Sequence, residues 1–297
     1  MKIIITGSLG HISKPLTKEL VQKGHIVTVI SSNPEKQKEI EALGATAAIG
    51  TIQDVDFLAA TFTGADAVYT MLPPPHFSDP DFELIPHCRR ITENYAAAIQ
   101  RAGVKRVVQL SSIGAHLKQG TGIILMYQPV ESILSQLPGV TVTFMRPVGF
   151  YYNLLNFIPA IKNTGTMSSN YGADDVIPWV APQDIADAIA AEIVTPGEHG
   201  KVVYVASEEL TCKETARILG AAIGKPDLQW NLISDEQLLN AYLGFGMNKN
   251  IAAGLVEMQS CMHSGPFYDD YYKHKPALGK VKMADYAKEF ASIFNQK

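Results

Sequence analysis

The stretch Thr6-Gly7-Ser8-Leu9-Gly10-His11-Ile12-Ser13, TGSLGHIS, follows directly on the hydrophobic run Ile3-Ile4-Ile5. In a strand–turn–helix unit that binds a dinucleotide, the first glycine turns the chain sharply and the second lets main-chain amides approach a pyrophosphate. The third packs the helix closely on the strand. Gly7 and Gly10 take the first two places, and Ser13, the next smallest polar residue, takes the third. Pro15 falls in the first turn of the helix, where proline is tolerated. A glycine pair behind a strand is equally at home in a plain strand-to-helix turn, so the surrounding pattern has to decide.

That pattern alternates short apolar runs with longer amphipathic ones. Strand-like runs cover 2–6, 25–31, 46–50, 65–71, 105–111 and 141–146, and helical patterns between them include 14–23, 35–43, 82–102 and 131–136. KIIIT, HIVTVI and RVVQL are continuously apolar, as expected of strands covered by helices on both faces. Six strands separated by helices imply an α/β fold with a doubly wound parallel sheet and a ligand crevice at the carboxyl ends of its strands. In that context the turn at 6–13 reads as a phosphate loop.

After Arg146-Pro147 the rhythm changes. Helical segments at 150–162, 182–193, 211–223, 235–243, 249–263 and 283–294 dominate, with short strands at 202–206 and 228–233. Residues 1–150 read as a nucleotide-binding domain and 151–297 as a smaller, mostly helical substrate lobe. No flexible linker divides them, so the lobe is expected to be partly interleaved with the sheet.

Composition narrows the partners. A chain of 297 residues with 46% hydrophobic and 18% charged residues can bury a sizeable core. Its net charge of -4, without a Lys/Arg stripe, argues against nucleic acid. Cys88, Cys212 and Cys261 are far apart and lack metal-ligand spacing, so no metal is expected, and their odd number suits a reducing cytoplasm. No apolar run is long enough for a membrane span, and a glycine arrives too early for a secretory signal. The expectation is a cytoplasmic protein with a small-molecule substrate.

The second strand ends Ser31-Ser32-Asn33, followed by Lys36. None of these is the carboxylate that takes the ribose 2′-hydroxyl of NAD, and hydroxyl and amide donors followed by a lysine favour NADP(H) over NAD(H). The same residues also read as a helix start, with Asn33 as cap and Pro34 in first position; the two readings are compatible.

Several of these stretches together resemble one family. TGSLGHIS is similar to the TGATGxxG loop of atypical short-chain dehydrogenases, and SSNPEK resembles the VRNPEK segment of the NmrA-like family. VVQLSSIGA, VTVTFMRPVGFYYNLL and the tail from LISDEQ to FYDD resemble that family's fifth strand, its sixth strand with the following helix, and its carboxyl-terminal helices. The resemblance spans nearly the whole chain. It implies a Rossmann fold that binds NAD(P) with Gly7, Leu9, Gly10, His11 and Ile12 at the pyrophosphate. Ser32 stands where the family has an arginine for the 2′-phosphate. Leu72 and Pro73 match the segment along the adenosine and ribose, and Ser111 and Ser112 match residues near the nicotinamide ribose. Pro147, Val148, Gly149 and Phe150 would border the nicotinamide and the substrate.

Catalytic groups are harder to read. Short-chain dehydrogenases that reduce carbonyls use a tyrosine and, four residues later, a lysine that lowers its pKa. Downstream of Ser112 the chain offers Tyr127-Gln128-Pro129-Val130-Glu131, with an acid in the lysine's place and a proline between that kinks the helix or begins it. Tyr127 is a candidate proton donor but a poor copy of the catalytic tyrosine, and a packing or substrate-wall role suits it better. Glu131 aligns with a glutamate of the family and would partner a nearby cation such as Arg146. His116, in the loop after the fifth strand, is the second candidate donor; His76 ranks below it, and Tyr151 or Tyr152 would line the substrate site. An electron-poor acceptor such as a quinone, an imine or an activated double bond takes hydride without a strong acid. An NAD(P)H-dependent reductase of such acceptors is therefore the leading expectation. The alternative is a regulator that senses NAD(P) and binds a protein partner through its carboxyl-terminal helices, and homo-oligomerisation is left open. A sugar-nucleotide epimerase or dehydratase shares the sheet but needs the missing tyrosine-lysine pair.

Overall fold

Three consecutive isoleucines close the first strand, and each is fully buried because the strand lies mid-sheet with helices on both faces. The computed structural model describes residues 1–172 and 174–296. In chain order its first half comprises β1 (Lys2–Ile5), α1 (Ser13–Gln22), β2 (Ile26–Ser31), α2 (Gln37–Ala42), β3 (Thr46–Ile49), α3 (Val55–Phe62), β4 (Ala67–Thr70), α4 (Leu84–Ala102), β5 (Arg106–Leu110), α5 (Tyr127–Ser135) and β6 (Thr141–Pro147). The second half adds β7 (Gly149–Phe150), α6 (Ile158–Thr164), β8 (Met167–Ser169), β9 (Val176–Val180), α7 (Pro182–Ile193), β10 (Lys201–Val205), β11 (Glu208–Thr211) and α8 (Cys212–Ala222). It closes with β12 (Trp230–Leu232), α9 (Asp235–Gly244), α10 (Lys249–Ser264), α11 (Asp269–Lys273) and α12 (Met283–Phe294).

All six strands expected in the first half form, within two residues of the expected bounds. They pair in parallel in the order β10-β6-β5-β4-β1-β2-β3. Alternate side chains of each strand reach opposite faces. Ile3, Ile5, Tyr69, Val108 and Met145 pack with Leu16 and Leu20 of α1 and with Ile185 and Ile189 of α7. Ile4, Val68, Val107 and Phe144 pack with Phe62 of α3, Ile91 and Tyr95 of α4 and Val130 of α5. Full burial of one such isoleucine contributes about 2 kcal/mol, which is why neither face tolerates a polar alternation. This is the doubly wound Rossmann arrangement. The strand order reverses between β1 and β4, so the loops leaving these strands diverge and open a crevice at their carboxyl ends.

The seventh strand comes from the second half: β10, expected as a short strand at 202–206, pairs with β6 in the main sheet. Two small sheets complete the fold, β11-β9-β7 and β12-β8. The helix expected at 150–162 divides into a 3-10 segment, Tyr151–Phe157, and α6. Pro159 lacks the N–H needed to carry an α-helical ladder back into that segment. Helix α3, not named from the sequence, is opened by Asp54, whose Oδ1 accepts from the N–H groups of Asp56 and Phe57 at 2.9 and 3.0 Å.

Helix α10 fastens the two loops that border the crevice. Asn248 donates from its main chain to Phe77 O at 2.7 Å and from Nδ2 to Asp79 O at 2.7 Å. Its Oδ1 caps α10 by accepting from Asn250 and Ile251. One turn and a half further along, Gly254 meets Gly122 of the 3-10 segment Gly122–Met126 backbone to backbone: a Cβ on Gly122 would overlap the Gly254 carbonyl, and its φ of 50° is left-handed. Gly122→Ala is therefore expected to lower unfolding stability by about 3 kcal/mol. Denaturant titration checks this, and an unchanged midpoint would refute the close crossing.

Candidate functional site

The turn after β1 is strapped to three strands. Thr6 donates its N–H to Tyr69 O and accepts the Met71 N–H on its hydroxyl, both at 3.1 Å, joining the ends of β1 and β4. Ser8 donates its N–H to Ile30 O at 3.1 Å and its hydroxyl to Ser31 Oγ at 2.9 Å, which ties the turn to β2. Ser8 has a φ of 54°, and the serine–serine bond helps offset the cost of roughly 1 kcal/mol that this conformation carries. Ser13, in the third glycine's place, is buried and donates to Thr6 O at 2.9 Å, so it pins α1 to the end of β1 by a hydrogen bond where glycine would do so by contact alone.

The two glycines are required for different reasons. Gly7 has a φ of 88°, and a Cβ there would collide with Met71 Sδ and Ser13 Oγ. Gly10 has no such constraint: a Cβ would meet only Gly7 O, at 3.2 Å. The space beside Gly10 is open toward solvent, and the helix beyond has no acid in its first turn and no side-chain cap. An anion brought to this place would find amides and a positive helix end, which is the fit a pyrophosphate requires.

At the end of β2, Ser31 is buried and its hydroxyl is shared with Ser8 and Asn33. Ser32 is exposed, and Asn33 accepts the Glu35 N–H at 2.9 Å, so the cap reading of Asn33 holds. Charge arrives instead from the helices on either side. Lys36 Nζ lies 2.9 Å from Glu39 Oε2, and Lys14 Nζ, in the first turn of α1, lies 2.8 Å from Glu39 Oε1.

The opposite wall is built from β5, β6 and their successors. Arg146 forms a two-pronged ion pair with Glu131, Nε to Oε1 at 3.0 Å and a terminal nitrogen to Oε2 at 2.7 Å. Ser111 donates to the same Oε1 at 2.6 Å. The second guanidinium nitrogen reaches Tyr204 Oη at 3.2 Å and Asp270 Oδ2 at 3.5 Å. The network therefore joins β5, α5, β6, β10 and α11. Pro129 lies in the first turn of α5, where its missing N–H is of no consequence, so the helix runs on and Tyr127 and Glu131 share one face. Burial raises the Tyr127 phenol above its ordinary pKa, with Cys88, Tyr152 and Glu131 adding to the effect. Burial lowers the His116 imidazole; Asp270, Asp269 and Glu131 oppose that shift and Arg146 adds to it. His116 Nδ1 is buried without a partner among the described residues.

Across the crevice, His11 of the turn stacks on Tyr152, ring centroids 4.5 Å apart, and Tyr152 stacks on Phe150 at 5.0 Å. This column of rings links the turn after β1 to the segment after β6. The structure thus brings Gly7, Leu9, Gly10, His11, Ser32, Asn33, Lys36, Pro73, Ser112, Gly149 and Phe150 to the carboxyl edge of the sheet with at least part of each accessible. Ile12, Ser31, Leu72, Ser111, Pro147 and Val148 are buried instead. Buried strand ends explain this: Ile12, Leu72 and Val148 pack in the core, and Ser31 and Ser111 give their hydroxyls to protein partners. His76 packs with Phe82 and His87 in the loop after β4. Lys14, Glu39, Tyr204 and Asp270 were not singled out from the sequence; each comes from an element whose approach is tertiary.

The family model described as the NmrA-like family matches residues 1–285. Among curated proteins, the chain is 26% identical to an NAD(P)H azoreductase of Xenophilus azovorans over 86% of this chain and 85% of that protein. It is 27% identical to a (4-alkanoyl-5-oxo-2,5-dihydrofuran-3-yl)methyl phosphate reductase of Streptomyces griseus subsp. griseus over 75% and 74%. Among solved structures, an NADPH-dependent quinone oxidoreductase from Escherichia coli in complex with NADPH superposes with a TM-score of 0.78 at 22% identity, over 99% of this chain and 100% of that one. A triphenylmethane reductase of Citrobacter sp. gives 0.77 at 19%, over 97% and 100%. These likenesses confirm the fold.

The Arg146 side chain is 8% exposed and that of Glu131 16%, so removing one partner strands the other. Glu131→Ala is expected to cost about 3–5 kcal/mol in denaturant unfolding. A loss below 1 kcal/mol would show that the pair does not hold β6 to α5.

Proposed function

The chain belongs to the NmrA-like family, and from that premise we propose that it is an NAD(P)H-dependent reductase of a small, electron-poor acceptor. The observation that carries this reading is the glutamate at 131. A dehydrogenase that protonates a carbonyl needs a lysine there to lower the tyrosine's pKa, whereas Glu131 is a carboxylate engaged by Arg146 and Ser111. Beside it the Tyr127 phenol is pushed up rather than down. An acceptor reduced at such a site has to take hydride first and its proton from a weak donor or from water.

Gly7, Gly10 and the start of α1 would hold the pyrophosphate, with Leu9, His11 and the main chain of Ile12 alongside. Ser32, Asn33 and Lys36 would border the adenosine ribose, where the absence of a carboxylate at 31–33 favours NADP(H) over NAD(H). Leu72 and Pro73 would flank the adenosine; Ser111 and Ser112 the nicotinamide ribose; Pro147, Val148, Gly149 and Phe150 the nicotinamide. A bound NAD(P)H supplies the hydride. The stacked rings of His11, Tyr152 and Phe150 offer a flat apolar wall suited to a planar acceptor such as a quinone or an azo compound. Three free cysteines suit the cytoplasm as the place of action.

Purified protein is expected to oxidise NADPH with a quinone panel, and Gly10→Val, whose new Cβ would meet only Gly7 O within the protein but whose side chain occupies the pyrophosphate's place, to lose coenzyme binding at least ~100-fold by calorimetry. Tight binding with flat traces across the panel would assign the chain to the regulators instead.

His116 supplies a second check. Burial keeps its imidazole below the ordinary 6.5, so at neutral pH it is mostly uncharged. If His116 donates, turnover rises as the pH falls below about 6.5 and the protonated form gains population. The expected profile shows that rise, and His116→Asn flattens it; an identical profile in the variant would remove His116 from the proton path.

A further inference from the structure

We infer that Tyr69, on β4, is a positioning residue for proton transfer: its phenol stands behind that of Tyr127 and donates a hydrogen bond to the Tyr127 oxygen when that oxygen gives up its proton. This rests on the reading of the chain as a reductase. Tyr69 lies one residue before the end of β4 and packs with Ile3, Ile5 and Val108 on the α1 and α7 side of the sheet. Tyr127 opens α5, on the other side, yet packs against both apolar clusters. The sheet keeps those clusters apart everywhere except at its edges, so Tyr127 lies over the carboxyl ends of the strands.

The two phenols differ in their surroundings. Tyr69 is fully buried, and its hydroxyl has no hydrogen-bond partner among the described residues. A buried donor without an acceptor is destabilising, so its retention beside the crevice calls for a partner that forms during function. Tyr127 is partly accessible and can meet an acceptor. Tyr95, a third phenol nearby, is already engaged, donating to Met71 O at 2.9 Å. Burial raises the Tyr69 phenol well above its ordinary pKa, and of its neighbours Tyr127 adds most, ahead of Tyr95 and Tyr152. Tyr69 therefore keeps its proton and acts as a donor only. The lysine that would serve the tyrosine of a carbonyl reductase is replaced by Glu131, which Arg146 and Ser111 occupy, and Tyr69 supplies a neutral donor from the opposite face. A neutral electron-poor ring that has taken hydride holds the electron pair as negative charge on an oxygen. At neutral pH, where His116 is mostly uncharged, the Tyr127 O–H gives its proton to that oxygen and the Tyr69 O–H turns to the phenolate left behind. Water then returns a proton to Tyr127.

Turnover of a para-quinone by the full-length protein at neutral pH tests this. Tyr69→Phe and Tyr127→Phe are each expected to lower kcat by about 10- to 100-fold. Adding Tyr69→Phe to Tyr127→Phe is expected to lower it no further, because Tyr69 acts only through Tyr127. A triarylmethyl cation becomes neutral on taking hydride and needs no proton, so the loss that Tyr69→Phe causes with it is expected to be at least about 5-fold smaller than with the quinone. Without coenzyme, Tyr69→Phe should leave the unfolding midpoint unchanged or raise it, since the hydroxyl it removes has no partner. An unmoved kcat with the quinone, a further loss in the double variant, equal losses with the two acceptors or a lowered midpoint overturns the inference while leaving the reductase reading intact. Failure of the unaltered protein to reduce the quinone overturns both.

Discussion

One hydrogen bond, from the Ser13 hydroxyl to the Thr6 carbonyl, fixes the angle at which α1 leaves the sheet. Everything proposed for the crevice depends on that angle, because the helix has to aim its free amides past Gly10. The bond also explains how the chain tolerates a serine where close packing would favour glycine: the hydroxyl takes up the strand's last carbonyl, and its bulk is accommodated beside Gly7, where a Cβ would overlap it. Thr6 and Ser8 extend the same scheme to β4 and β2. The turn is thus held by polar bonds to its neighbours, and Gly10 and His11 are left to face outward.

The far wall is organised by charge. Arg146 is a strand residue with little access to water, and four side chains from four other elements gather on it or on its partner Glu131. A buried guanidinium without such company would be strongly unfavourable, so the arginine and its acids specify one another. The residue that a carbonyl reductase would use to activate tyrosine has here been given over to joining the halves of the molecule. Asp270 and Tyr204 come from the second half of the chain, and through them the site is completed only when that half has docked.

The sheet was legible because its strands are continuously apolar, and the sharp turn after β1 because a glycine stands where backbone geometry demands one. KIIIT and RVVQL left little alternative to strands buried on both faces, and Gly7 has a geometric cause in its left-handed φ and in the Met71 and Ser13 side chains beside it. Fine detail at strand ends was not legible, since sequence spacing places Ser31, Leu72 and Ser111 at the crevice without saying which way each side chain turns; all three turn inward. Pro129 was ambiguous for a similar reason: its effect depends on where α5 begins, and a start at Tyr127 makes it harmless. The association of Lys14 with Glu39 joins residues 25 positions apart on different helices, and no periodicity signals such a pair.

The place of β10 in the main sheet bears on how the chain is made. During synthesis β6 is complete some 54 residues before Lys201 emerges, and until then one edge of an apolar strand has no hydrogen-bonding neighbour. A ribosome-bound or truncated form ending near residue 195 would carry a nearly finished sheet with an open, sticky border, the kind of surface that recruits chaperones or pairs with another nascent copy. The sheet gains its last strand late, from a segment that belongs in sequence to the other half, and β10 then forms that edge.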